Sequence, residues 1–167
     1  MVVRALDDDD GLWKDESLRR AWGSTAVARL GTLVDAAGLP GFVALADGRP
    51  IGLLTCARVG DDIEVVTLHV DREGRGTGRA LMDAVLTDAR RTAARRIWLV
   101  TTNDNTRAIA FYRRWGMHQV ATITDGVAAS RQVKPSIPVT GRDGIPVRDE
   151  LVFDRRLDDG PLPAPAA

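Results

Sequence analysis

A single cysteine, Cys56, stands in a chain of 167 residues, so no internal disulfide can form and no thiolate metal site can be built. No His, Asn or Asp is placed in sequence to suggest a nucleophile partner for it, which leaves a small apolar core residue as its expected role. No apolar run approaches the roughly 20 residues that span a bilayer. The first ten residues, ending Asp7-Asp8-Asp9-Asp10, are too acidic for a secretory leader, so the chain is expected to be cytoplasmic and without a membrane partner. Charge of one sign is also missing: Lys plus Arg and Asp plus Glu number 23 each. No global field therefore draws nucleic acid or an anionic surface, and recognition must rest on a local site.

What is present suits one core. With 44% hydrophobic residues, the chain reads as a single domain over residues 1–157, followed by a Pro- and Ala-rich tail over 158–167 that is expected to be disordered. Val2 to Leu6 reads as a strand, and the Asp run caps a helix carrying Leu12, Trp13 and Trp22. Ser24 and Thr25 are expected to cap a second helix, with Val27, Leu30, Leu33, Val34 and Ala37 on one face, ending at Gly38. Asp47-Gly48 predicts a tight turn between strands Phe42 to Ala46 and Pro50 to Val59. Ile63 to Val70 is apolar on both faces, as in a covered central strand. A helix over Thr77 to Ala94, a strand over Ile97 to Thr101, a helix over Asn105 to Trp115 and a strand over Met117 to Ile123 follow, with a last strand over Val147 to Leu157. The pattern predicts an α/β (mixed α+β) fold, a mixed sheet of about seven strands flanked by helices.

Between strand and helix lies Glu73-Gly74-Arg75-Gly76-Thr77-Gly78-Arg79-Ala80-Leu81. Backbone N–H groups converging there at a helix N-terminus would cradle a phosphate, although such a turn can equally serve to pack helix on sheet. It is not a P-loop, because Arg79 and Ala80 follow Gly78 where Lys and Ser or Thr are needed. A dinucleotide-binding unit would close its second strand with an acid, and here that strand ends in Thr101 and Thr102.

One βα unit later comes Asn105-Thr106-Arg107-Ala108-Ile109-Ala110-Phe111-Tyr112-Arg113-Arg114-Trp115-Gly116-Met117. Together with Arg75-Gly76-Thr77-Gly78-Arg79-Ala80-Leu81, it resembles the two signature segments of the GNAT superfamily of acyl-CoA-dependent N-acetyltransferases. The resemblance implies a sheet whose fourth and fifth strands splay, with the fourth here at Ile63 to Val70. It implies acetyl-CoA as cosubstrate, no metal and a homodimer as a common assembly; the acceptor is expected to be a small-molecule amine, while an antibiotic, an amino acid and a protein N-terminus all stay open. It also implies that Arg75, Gly76, Thr77, Gly78 and Arg79 hold the pyrophosphate, that backbone at Leu68, His69 and Val70 meets the pantetheine arm, and that Asn105 hydrogen-bonds the cofactor. Tyr112, the one tyrosine, would face the departing sulfur as general acid; an ordinary aromatic on the helix stripe is the alternative. Glu73 departs from the pattern, since a carboxylate beside a pyrophosphate is repulsive unless it points away or is offset by Arg72 and Arg75.

Direct transfer needs a proton acceptor for the amine. Glu64, early on the apolar fourth strand, is the expected base; a structural carboxylate satisfied by a nearby Arg is the alternative. His69 is a second candidate, which alternation puts on the face opposite Glu64. The stretch Asp125 to Glu150, with a short helix near Val127 to Val133, is expected to wall the acceptor pocket. Its Arg131, Lys134, Arg142 and Arg148 suggest an acceptor that carries an anionic group beside the amine. An acyl-CoA-binding sensor without turnover is the competing reading.

Overall fold

In a computed structural model of the chain, which describes residues 1–157, strand β1 (Val2–Ala5) leads through a short turn into helix α1 (Gly11–Trp22). The tail expected over 158–167 lies outside the described residues. Asp7 caps the turn as foreseen, and Arg4 donates to both oxygens of Asp10 at 2.6 and 2.9 Å. The Arg4 guanidinium holds the Asp10 carboxyl below its ordinary range.

The second helix expected from Ser24 to Ala37 does not exist. Those residues form a hairpin of β2 (Ala26–Arg29) and β3 (Thr32–Asp35), with Val27 paired to Val34 and Ala28 to Leu33. The turn is Leu30-Gly31, both at positive φ (49° and 68°), a geometry that twists with the flanking strands and that a helix cannot contain. β-Branched Thr25, Val27, Thr32 and Val34 also favour the extended chain. Spacing of apolar residues fitted either period, and tertiary packing selected the strand.

The remainder follows the expected order: β4 (Gly41–Ala46), β5 (Arg49–Val59), β6 (Asp62–Val70), α2 (Thr77–Arg91), β7 (Arg96–Thr102), α3 (Thr106–Trp115), β8 (His118–Ile123), α4 (Gly126–Val133) and β9 (Glu150–Arg156). Seven strands make one mixed sheet in the order β1-β4-β5-β6-β7-β9-β8, in which β6 and β7 alone run parallel. One face carries α2 and α3: Leu81, Met82, Val85 and Ala89 of α2 and Trp115 of α3 pack on Leu54, Ile63, Ile97, Leu99 and Phe153. Phe153 has no exposed surface, and truncating such a ring to Ala costs about 3–5 kcal/mol. Trp115 Nε1 donates to Asp83 Oδ1 at 2.8 Å and ties α3 to α2. The other face carries α1 and the hairpin, with Leu18, Ala36 and Leu53 buried among Trp13, Trp22, Val27 and Val66.

Two irregularities in β6 prepare the site. Its pairing with β7 covers only Asp62 to Glu64, opposite Arg96 to Trp98, after which the two strands part. Opposite β5, Thr67 faces Thr55 and Val65 faces Cys56, so Val66 is an extra, bulged residue. A bulge reverses the alternation beyond it. Leu68 and Val70 therefore join Ile63 and Val65 on the α2 face, while His69, opposite Leu53, meets Trp22 on the α1 face. The expectation that Glu64 and His69 lie on opposite faces is thus overturned. No helix among the described residues is long and apolar enough to cross a membrane.

Candidate active site

A cleft of about 1070 Å³ opens where β6 leaves β7, between the N-terminus of α2 and the helix α3. Leu68, His69, Val70, Gly76, Thr77, Gly78, Arg79 and Asn105 line it, whereas exposed Arg75 is not among the lining residues. The first bond of α2 runs from Ala80 N to Gly76 O at 2.9 Å, so the amides of Thr77, Gly78 and Arg79 have no acceptor within the helix. Gly76 adopts φ +79°, a Cβ built on it would meet nothing within 4 Å, and Gly76 to Arg79 line the cleft, so the start of α2 faces open space. Gly78 serves packing as well: a Cβ there would stand 3.4 Å from Phe111 of α3. Glu73, the expected misfit, pairs with Arg107 at 3.3 Å rather than with Arg72 or Arg75. Both partners are exposed, and the carboxylate is drawn to α3.

Behind the splay lies a second cavity of about 490 Å³, bounded by the end of α1, the β2–β3 hairpin, β6, β7 and the stretch after α4. Leu68, Thr102, Asp104, Asn105 and Tyr112 line both spaces. Tyr112 therefore stands at their junction. Its ring packs edge-on against Phe111 at 5.4 Å and tilted against Phe153 at 6.1 Å. Burial pushes its phenol up to about 12, and among the described residues nothing hydrogen-bonds the hydroxyl.

Two withdrawn carboxylates line the second cavity, Glu64 at 1% exposure and Glu150 at 2%. Arg29 of the hairpin donates from Nε and Nη2 to the two oxygens of Glu64 at 2.6 and 2.7 Å. Glu150 is held by neutral donors: Leu30 N–H reaches its two oxygens at 3.1 and 3.0 Å, and Ser130 Oγ donates at 2.6 Å. Lys134 Nζ donates to the carbonyls of Trp22 and Ala26 at 2.8 and 2.6 Å, and burial lowers its ammonium below the ordinary lysine value.

A splayed parallel pair, a helix-terminal amide cradle and a buried tyrosine between two cavities form one arrangement, and a model of the Acetyltransferase (GNAT) family matches residues 5–117. The chain belongs to the GNAT acetyltransferase family. The curated protein YdhI of Bacillus subtilis (strain 168) is 36% identical over 138 residues, covering 82% of this chain and 86% of that one. Streptothricin acetyltransferase of Streptomyces lavendulae is 36% identical over 116 residues, 69% of this chain and 56% of that protein. Among solved structures, a GNAT family acetyltransferase from Elizabethkingia anophelis with acetyl-CoA bound superposes with a TM-score of 0.67 at 14% identity, over 93% of this chain and 97% of that one.

In this GNAT domain the residues expected at the cofactor collect around the first cleft, apart from the Arg75 side chain. Glu64 lies in the second cavity with Arg29 on both oxygens. Of the four cations between Asp125 and Glu150, only Lys134 lines that cavity. Arg131 donates to the carbonyls of Ile137, Pro138 and Val147, Arg148 pairs with Asp149, and Arg142 lines the first cleft. Arg131 and Arg148 therefore serve protein groups rather than a cavity, and a count along the chain cannot tell such guanidinium groups from those facing a site. Arg29 and Asp104 were missed, and Glu150 entered only as the end of the stretch expected to wall the pocket. Arg29 was hidden by the helical reading of its segment, while a carboxylate opening the apolar run Glu150-Leu151-Val152-Phe153 was a signal for the last.

Proposed function

We propose that this chain transfers an acetyl group from acetyl-CoA to the primary amine of a small acceptor. The observation that carries this reading is the position of Tyr112, buried at the junction of the two cavities, one with the open amide cradle and the other walled by acids. The cradle fits a pyrophosphate: unpaired amides of Thr77, Gly78 and Arg79 lie at the positive end of the α2 dipole beneath open space. The unpaired edge of β6 beyond Glu64 offers backbone groups to the amides of a pantetheine arm, and Asn105 adds a side chain at the narrowing.

When bound, acetyl-CoA supplies an activated thioester. The amine nitrogen bonds to its carbonyl carbon, the C–S bond breaks, the sulfur leaves with the electron pair and the amine gives up a proton. With its phenol pushed up to about 12, Tyr112 stays protonated at neutral pH. Since a thiol of the cysteine kind ionises near about 8.5, complete transfer from the phenol ahead of cleavage is uphill. Tyr112 acts by donating to the sulfur as negative charge builds there. Glu64 accepts the amine's proton through a water, because Arg29 uses one acceptor site on each oxygen and a carboxylate has about four.

Thiol release from acetyl-CoA, measured across a panel of primary amines, tests the reading. Amine-dependent release with a matching N-acetyl product is expected. Saturable acetyl-CoA binding without release for any amine would replace the enzyme by a sensor.

A further inference from the structure

We infer that Glu150 recognises the ammonium of the acceptor, and that the acceptor is a cationic amine without a neighbouring anionic group. This rests on the transfer reading above. Among the described residues, the charged side chains lining the second cavity are three carboxylates, Glu64, Asp104 and Glu150, against two cations, Arg29 and Lys134. Arg29 is committed to Glu64 by the paired hydrogen bonds. Lys134 hydrogen-bonds two carbonyls at the end of α1 and the start of β2, so its single charge stands against those of both Asp104 and Glu150.

Glu150 is left as the most deeply withdrawn charge in the cavity without a cation. Its donors are a backbone N–H and a hydroxyl, which satisfy its oxygens geometrically but leave its charge uncompensated. In low dielectric the attraction between a carboxylate and an ammonium is strong, and it must exceed the cost of stripping water from the incoming cation. Asp104 is a weaker candidate: it is half-buried, takes a 2.5 Å hydrogen bond from Thr102 Oγ1 and lies partly on the cofactor side. The register also favours Glu150, which faces Thr102 directly across β7 and β9, and Thr102 lines both spaces. A carboxylate one strand from the junction can hold an ammonium on the acceptor side of Tyr112. In solution a primary amine arrives protonated, so Glu150 selects it in that form; Glu64 takes that proton through a water before attack, and the second proton, released as the C–N bond forms, goes to the departing thiolate. A second anion on the acceptor would enter a cavity that already holds an excess of carboxylate.

The competing explanation is purely mechanical. Ser130 also accepts from Gly31 N–H at 3.1 Å, so Glu150 and Ser130 pin the hairpin tip to α4. Two variants separate charge from pinning. Glu150→Gln keeps an acceptor for Leu30 N–H and removes the charge, whereas Ser130→Ala removes a pin and keeps the charge. Thiol release would be followed with acetyl-CoA and two sets of amines: amino acid carboxamides, diamines and amino sugars in one, free amino acids in the other. The cationic set is expected to exceed the zwitterionic set by tenfold or more in kcat/KM. Glu150→Gln is expected to raise the KM of cationic acceptors at least tenfold, with acetyl-CoA affinity unchanged and kcat changed less. Ser130→Ala is expected to keep its acceptor KM within about threefold. Equal KM defects in the two variants, an unaltered Glu150→Gln enzyme, or a preference for free amino acids would each overturn the inference while leaving the transferase reading intact. No release with any amine, despite acetyl-CoA binding, would overturn both.

Discussion

Arg29 at the end of β2 and Glu64 on β6 are joined by two short hydrogen bonds, so a hairpin outside the main sheet is fastened to the strand that forms the floor of the second cavity. With side-chain exposures of 19% and 2%, this pair lies largely out of solvent. Removing one partner strands the other, so Arg29→Ala is expected to lose about 3–5 kcal/mol in denaturant unfolding. An Arg29→Met, Glu64→Leu double variant should recover much of that loss, since neither charge is then left alone. Additive losses would show that the hairpin is held by something else.

Glu64 also has a kinetic test. Glu64→Gln should flatten the rise of kcat/KM with pH for the preferred amine, because the variant cannot take the proton. If the rise persists in Glu64→Gln and disappears in His69→Gln, the proton leaves along the other residue of this face.

Tyr112→Phe keeps the ring contacts with Phe111 and Phe153 and removes only the hydroxyl at the junction. A fall in kcat on the order of 10²-fold is expected on losing a hydrogen-bond donor to the developing charge, with acetyl-CoA affinity nearly unchanged by calorimetry. In the parent enzyme the phenol, pushed up to about 12 by burial, should contribute no alkaline loss of activity below pH 10 or so. An unchanged kcat in Tyr112→Phe would leave Tyr112 as packing alone.

Gly76→Val addresses the cradle. The substitution places a branched side chain in the open space above the α2 amides and forces a non-glycine residue to φ +79°. Strain of this kind costs of order 1–3 kcal/mol. The fold should survive, as judged by far-ultraviolet circular dichroism, while acetyl-CoA affinity drops tenfold or more. A folded variant with parental affinity would place the pyrophosphate elsewhere.

His69 offers a pH prediction with a definite sign. Burial lowers its imidazole below 6.5, Asp71 pulls the other way, and Arg20 adds to the lowering. Its NMR titration midpoint should therefore fall below 6.5. A depressed folded value means that the unfolded chain binds the proton more readily, so this contribution to stability is complete above about pH 6.5 and is lost as pH falls through the folded value. His69→Gln should show less acid loss across that window.

Much of this protein was legible in its sequence. Strand-turn-helix punctuation at Gly74 to Gly78 and again at Asn105 to Gly116 specifies local backbone geometry, because glycine conformations, helix starts and apolar periodicity are properties of a few neighbouring residues. Those two segments also carried the family resemblance, and the structure sets them around one cleft. Tertiary structure decided the rest. Apolar spacing over Val27 to Ala37 suited a helix or a hairpin, and only packing against α4 and β6 chose the latter. The bulge at Val66 is invisible in an alternating apolar strand, yet it turned His69 to the side of Glu64. The charge of the second cavity was decided last of all, since Arg29 meets Glu64 across 35 residues and Leu30 meets Glu150 across 120. Chain proximity carries no information about such pairs; the fold alone brings them within reach.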